Sequence, residues 1–218
     1  MGQSVLVKAL SLICSGAPPF YRVAGPGRAT LQPWELLWSP AMNDSTIHPR
    51  LADGTPPLTS AELLTRLQTL GIAHRTVEHA PVYTVAESRG LRLDFPGGHS
   101  KNLFLRNKKG RMWLVTCLED RQIDLKALAE RVGAGRFSFD SAERLMRHLG
   151  VIPGAVTPFA VINDHAGVVH MVLDAGLLEH DPINFHPLDN AMTTAISAQA
   201  LLRFLEYADH PPQIVDLS

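Results

Sequence analysis

The stretch from Asn102 to Leu118 constrains the fold more than any other part of the chain. Leu103-Phe104-Leu105 and Met112-Trp113-Leu114-Val115-Thr116-Cys117-Leu118 are apolar runs of strand length, and Asn107-Lys108-Lys109-Gly110 between them ends in a glycine that suits a tight reversal. The two runs therefore read as a hairpin, and the second reads as a buried strand. A sheet with a hairpin in it needs helices to cover it, and the flanking sequence supplies them.

Thr59-Ser60-Ala61-Glu62 matches a capping box, with Leu63, Leu64, Leu67 and Leu70 at helical spacing and Gly71 where a helix would end. An extended piece over Ala73 to Val77 leads to Thr84-Val85-Ala86-Glu87, a second capping box that opens a brief helix. Asp124 opens a helix that buries Leu125, Leu128, Ala129 and Val132 and ends at Gly133; Ser141 opens another, with Leu145, Met146 and Leu149, that ends at Gly150. Phe137-Ser138-Phe139 is a short strand between them, and Gly150 to Pro158 is a loop. Phe159 to Ile162 and Val168 to Leu173 read as a second hairpin, followed by an extended piece near Asn184 to His186 and a last helix from Ser197 that buries Leu201, Leu202 and Leu205. Hairpins interspersed with helices, without regular βαβ alternation, predict an α/β fold with a mixed, mostly antiparallel sheet and flanking helices.

With 218 residues, 45% of them hydrophobic, the chain can bury a full core, and it has no apolar stretch long enough to cross a bilayer. A net charge of -1 excludes a protein-wide positive field for nucleic acid, so any RNA contact must be local; Arg106, Lys108, Lys109 and Arg111 form the candidate patch. Two cysteines are too few for a disulfide framework, and a reducing cytoplasm fits best. Residues 1–41 stand apart: Pro18-Pro19, Gly25-Pro26-Gly27 and Pro33 interrupt any period, and Glu35 is the only acidic residue. We expect a disordered extension, or a start-site artefact with translation really beginning at Met42. Lys8 breaks the apolar run that a signal peptide would need.

Three segments place polar or backbone-donating groups at the ends of apolar runs, where a fold can present them at a pocket mouth: Gly97-Gly98-His99-Ser100-Lys101-Asn102-Leu103-Phe104-Leu105, Gly154-Ala155-Val156-Thr157-Pro158, and His186-Pro187-Leu188-Asp189-Asn190. Other chemistries are poorly supported. There is no Cys-x-x-Cys and no pair of histidines at i, i+4, so neither a metal nor another cofactor is expected. No Gly-x-Ser-x-Gly elbow and no phosphate-binding loop of the Walker type occurs, and Gly133-Ala134-Gly135 ends a helix where a dinucleotide fingerprint would open one.

In this order the three segments resemble the freestanding aminoacyl-tRNA deacylases of the YbaK/ProX type, relatives of the editing domain in bacterial prolyl-tRNA synthetases. The Lys-Asn-Leu-Phe-Leu run, the Gly-x-x-x-Pro loop and the His-Pro-Leu-x-Asn-x-x-Thr-Thr segment look most like the branch that hydrolyses alanyl-tRNA(Pro). The similarity implies a YbaK/aminoacyl-tRNA synthetase-associated domain over 58–216. It also implies an activity, deacylation of mischarged tRNA(Pro) at its acceptor end, with prolyl-tRNA synthetase as a further candidate partner and neither membrane nor DNA involved. Alternatives are a deacylase for another small or cysteinyl group, or a silent module that binds tRNA or a synthetase.

The resemblance further implies that Lys101, Asn102, Gly154 and His186 are catalytic. Lys101 suits a phosphate or terminal ribose, Asn102 can donate and accept, the Gly154 loop can aim N–H groups at an oxyanion, and His186 can position water or ribose. Thr157, Pro158 and Asn190 would bind the aminoacyl group, and Arg106, Lys108 and Lys109 the RNA. A solvated lysine, a plain tight turn and a satisfied histidine are the ordinary readings of these residue types taken singly.

Overall fold

A computed structural model describes residues 49–81 and 96–218. The chain divides into two units, Met1–Met42 and Asn43–Ser218. The first unit lies outside the described residues, and so does the second capping box at Thr84.

The helices begin where their caps require. In α1 (Ser60–Thr69) the Thr59 hydroxyl accepts from Glu62 N while the Glu62 carboxylate accepts from Thr59 N, which satisfies amide groups the helix itself leaves open. Asp124 caps α2 (Leu125–Arg131), Ser141 caps α3 (Ala142–Leu149) and Ser197 caps α4 (Ala198–Tyr207). Leu63 and Leu67 of α1 are fully buried, each contributing about 1.5–3 kcal/mol of transfer free energy.

The strands are β1 (His74–Glu78), β2 (Gly98–Asn107), β3 (Met112–Leu118), β4 (Phe137–Phe139), β5 (Val169–Asp174), β6 (Ile183–Phe185), β7 (Met192–Ile196) and β8 (Gln213–Val215). They lie in the order β1-β7-β6-β2-β3-β5-β8, with β4 also on β2. The pairings β1·β7, β2·β3, β2·β4 and β6·β7 are antiparallel, and β2·β6, β3·β5 and β5·β8 are parallel. The fold is thus the expected mixed sheet with helices on it.

Side chains alternate along each strand, so the two faces of the sheet build two cores. One gathers Phe104, Met112, Leu114, Met171 and Phe185 under α1, α3 and α4. The other gathers Leu105, Trp113, Val115, Cys117 and Val172 under α2 alone and reaches none of β1, β6 or β7. Burial pushes the Cys117 thiol up to about 11, so it serves packing.

One expected element is different. Phe159 to Ile162 is not a strand but part of a 3₁₀ turn, Pro158–Asn163, so no second hairpin forms with β5. Thr157 caps the turn, its hydroxyl accepting from Phe159 N, and Pro158 brings a fixed φ and no N–H to the first position, where a helical start tolerates both. Sheet edges tolerate proline less well, and here the cap decides between the two.

His210 ties the end of α4 to this turn. Its Nδ1 faces Ala208 O at 2.7 Å and its Nε2 faces Asp164 Oδ2 at 3.0 Å, so both nitrogens have acceptors and the ring is an imidazolium. Burial opposes that charge, but the bonds to Asp164 and to the Ala208 carbonyl outweigh it and raise the pKa above the ordinary range. A raised histidine pKa stabilises the fold fully below the unfolded value and ceases to do so as pH rises through the folded value. The thermal midpoint should therefore fall as pH rises above about 6.5, and this component should vanish in His210→Ala. At pH 6 that variant, which leaves Asp164 buried with Val169 N as its remaining donor, should lose about 3–5 kcal/mol in denaturant titration.

Candidate active site

Strand β2 keeps β3 as its neighbour from Ser100 to Arg106 but changes partners on its other edge. Gly98 and His99 pair with β6 there, and Leu105 to Asn107 pair with β4. Between them, from Lys101 to Leu103, that edge carries no strand among the described residues. Lys101 and Asn102 lie in this break, the Gly154 to Pro158 loop is tied to Asn102, and His186 directly follows β6.

The entry to β2 is held by close approach. Gly97 has φ 104°, and a Cβ there would lie 2.0 Å from Pro182 O; a Cβ on Gly98 would lie 2.8 Å from His180 Cβ. Only glycine fits either position. Asn184, buried beside them, donates from Nδ2 to Pro96 O and Gly98 O, and its Oδ1 has no hydrogen-bond partner among the described residues. Ser100 Oγ donates to Asn184 O and closes the β2–β6 junction.

Lys101 and Asn102, adjacent in sequence, point to opposite faces. Asn102 lies on the face of Phe104. Its Oδ1 accepts from Thr116 Oγ1 at 2.7 Å, and its Nδ2 donates to Val156 O at 2.9 Å, which fastens the Gly154 to Pro158 loop to the open stretch of β2. Lys101 lies on the face of Cys117, with its ammonium on Arg121 O. Arg121 is in turn bound through Nε to the buried Asp174 at 3.0 Å, which holds the guanidinium pKa up.

His186 shares the Lys101 face. The parallel register pairs His99 with Asn184, and two residues further along each chain come Lys101 and His186. His186 Nδ1 donates to Met192 O at 2.8 Å, which leaves Nε2 as an acceptor when the ring is neutral. Burial lowers its pKa below the ordinary imidazole value, and nearby His79 adds to the effect, so neutrality is its state at pH 7. The His79 ring is 6.2 Å away, with Nε2 on Thr193 Oγ1 at 2.8 Å. Tight turns fix this corner: Leu188 adopts φ 67°, and Asp189 Oδ1 accepts from Ala191 N.

Gly154 is exposed with φ 93°, in the region that side chains disfavour. The N–H of Ala155 is engaged by Ile152 O, whereas those of Gly154 and Val156 meet no acceptor among the described residues. Thr157 and Pro158 are buried, where they form and start the 3₁₀ turn, and Asn190 is buried as well. The hairpin cations separate. Arg106 turns to Asp140 at 3.5 Å, a carboxylate it shares with Arg144, while Lys108 and Lys109 are exposed at the tip. His79 and Asn184 carried no signal in the sequence, because single polar residues near strand ends are common, whereas Thr193 belongs to the segment that begins at His186.

A neutral imidazole acceptor, a cation on the same face and a loop with free amide donors are the equipment of ester hydrolysis without a covalent nucleophile. Comparison with known proteins agrees in kind. The aminoacyl-tRNA editing domain matches residues 79–204. The prolyl-tRNA synthetase associated domain-containing protein 1 of Bos taurus is 41% identical over 161 residues, covering 72% of this chain and 94% of that protein. The prolyl-tRNA editing protein ProX of Acetoanaerobium sticklandii is 37% identical over 145 residues, covering 66% and 88%. A solved structure of a candidate trans-editing enzyme for prolyl tRNA synthetase superposes with a TM-score of 0.58 at 21% identity, over 74% of this chain and 98% of that one, which supports the fold. With the match to the editing domain spanning more than half of its length, the chain belongs to the aminoacyl-tRNA editing domain family of the YbaK/ProX type.

Proposed function

We propose that the protein is a cytoplasmic trans-editing hydrolase that deacylates mischarged tRNA(Pro), with alanyl-tRNA(Pro) as its substrate. The observation that carries this reading is the placement of His186 Nε2, neutral and aimed by a backbone carbonyl, on the same face as Lys101 and beside the break in β2.

In this reading the terminal ribose and its phosphate lie against Lys101, whose ammonium has one backbone acceptor and further N–H donors to offer. Water attacks the ester carbonyl carbon, and the carbonyl oxygen takes up the negative charge against the N–H groups of Gly154 and Val156. His186 Nε2 receives the proton from water and returns it to the ribose oxygen as the C–O ester bond breaks, yielding free amino acid and intact tRNA. The neighbouring ribose hydroxyl assists by hydrogen bonding. Asn102 positions the donor loop through Val156 O. Lys108 and Lys109 contact RNA phosphates, and a pocket bounded by the Gly154 to Pro158 loop, with Asn190 behind, excludes proline by size.

Lys101→Ala should lower single-turnover deacylation of alanyl-tRNA(Pro) by a hundredfold or more, on the order of 3 kcal/mol in the barrier, while calorimetry finds the thermal midpoint nearly unchanged. Wild-type turnover in this variant would remove Lys101 from the site.

The pH profile follows from the depressed His186 pKa. A base acts in its neutral form, so kcat/KM should stay level as pH falls through 6.5 and decline only below it, where the ring becomes protonated. In His186→Asn this acid limb should disappear together with most of the rate.

Selectivity should reside in the loop. Wild type should cleave the alanyl ester and spare the prolyl ester, a misfit of a few atoms against a packed wall costing about 1–3 kcal/mol. Gly154→Val, forced into a strained φ and crowding the acyl group, should lose the alanyl reaction as well. Efficient hydrolysis of the prolyl ester by wild type would exclude a size sieve.

A further inference from the structure

The charged hairpin is two different surfaces. Arg106 pairs with Met112 and projects to the face covered by α1, α3 and α4, where Asp140, shared with Arg144, holds it. Arg111 projects to the opposite face, the one that carries Lys101 and His186. There its guanidinium lies 5.5 Å from the centre of the Trp113 ring, and Nη2 donates to His170 Nε2 at 2.8 Å. Trp113 and His170 are themselves paired across β3 and β5, with ring centres 5.2 Å apart. Arg111 has no carboxylate within ion-pair distance among the described residues, in contrast to Arg106, Arg121 and Arg144.

These groups form one wall of a cavity of about 300 Å³, separate from the break in β2. His210, Asp209 and Gln213 line the rest, with Gly133 and Gly167 at the rim. Its volume is at the small end for ligand sites and suits a single nucleotide unit. Because His170 Nε2 accepts from Arg111, the His170 ring is neutral and carries its proton on Nδ1, and it orients the guanidinium without cancelling its charge. Burial and Arg111 both lower its pKa and keep it so. A guanidinium over an indole, oriented by a neutral imidazole acceptor, is an arrangement for a phosphate with its base or ribose against the ring edges. The carboxylate in the wall, Asp209, stands where it can accept from a ribose hydroxyl or base amine but opposes the phosphate, which places the phosphate on the Arg111 side.

We propose that this cavity binds one nucleotide of the tRNA acceptor arm, with its phosphate on Arg111, which His170 holds in place, and so sets the distance between the duplex and the acylated 3′ end. The identity of the RNA rests on the function proposed above; the cavity and its unneutralised arginine do not. Along β3, Arg111 lies six residues from Cys117, the partner of Lys101, about 20 Å at 3.4 Å per residue. That separation puts the contacted nucleotide several positions from the terminal adenosine.

The test is equilibrium binding of uncharged tRNA(Pro) to the full chain, by fluorescence anisotropy across a salt series, for wild type, Arg111→Gln, His170→Ala and Arg106→Gln. Arg111→Gln should weaken binding about tenfold and reduce the slope of log K against log salt by about one, the signature of one lost phosphate contact. His170→Ala should weaken binding severalfold with the slope retained, and Arg106→Gln should change Kd by less than twofold. Unaltered binding by Arg111→Gln, or equal weakening by Arg106→Gln, would overturn the proposal, the latter by revealing a diffuse charge effect. Circular dichroism checks the fold of each variant, and Arg111→Lys gives a second reading: it should keep the slope yet lose affinity, because the fork is gone. Binding is measured without the ester, so the two readings separate. Absence of deacylation with these binding effects intact would remove the proposed activity and leave the cavity; normal deacylation with unaltered Arg111→Gln binding would do the reverse.

Discussion

The change of hydrogen-bond partner along β2 is the constraint on which the rest of the structure depends. One edge of the strand is committed to β3, and the other passes from β6 to β4 with a break over Lys101 to Leu103. A strand interior normally hides its side chains within packed faces; an edge left open in mid-strand exposes them at a point that is rigid on the other side. The break also marks where the smaller core stops: the face beneath α2 is packed around β3 and β5, and that core does not extend over β6, β7 and β1. The glycines at 97 and 98 and the Asn184 amide hold β2 against β6 just before the strands part, so the opening has a fixed origin.

Backbone carbonyls aim the polar side chains of the site. Arg121 O receives the Lys101 ammonium, Val156 O the Asn102 amide and Met192 O the His186 imidazole. A neutral carbonyl orients a group without neutralising its charge, and at His186 burial outweighs the upward pull of the Met192 carbonyl on the pKa. This explains how the site can lack an acid-base-nucleophile triad and still be ordered. An aminoacyl ester is an activated substrate, and placing water, an oxyanion site and a proton acceptor is what its hydrolysis needs.

Much of this was legible in the sequence, for local reasons. The capping residues Thr59, Asp124, Ser141 and Ser197 act through bonds within a few residues, so they mark helix starts wherever the chain goes. The same locality explains the one mistaken strand: Phe159 to Ile162 is apolar enough for a strand, but Thr157 and Pro158 start a 3₁₀ turn, and the apolar side chains reach the same core from it. The pairing of β2 with β3 was also local, because their connection is short.

The sequence by itself determined the helix starts, the hairpin, the three polar segments and the family to which they belong, since all of these are written in neighbouring residues. Strand alternation already sends Lys101 and Asn102 to opposite faces, but tertiary structure alone decided that His186 joins Lys101 through the parallel register of β6 and that His79 and Thr193 stand beside it. It alone also separated Arg106 from Arg111, for a single physical reason. Strand register assigns each side chain a face and a neighbour, and register between strands distant in the chain is set by the packing of the whole sheet.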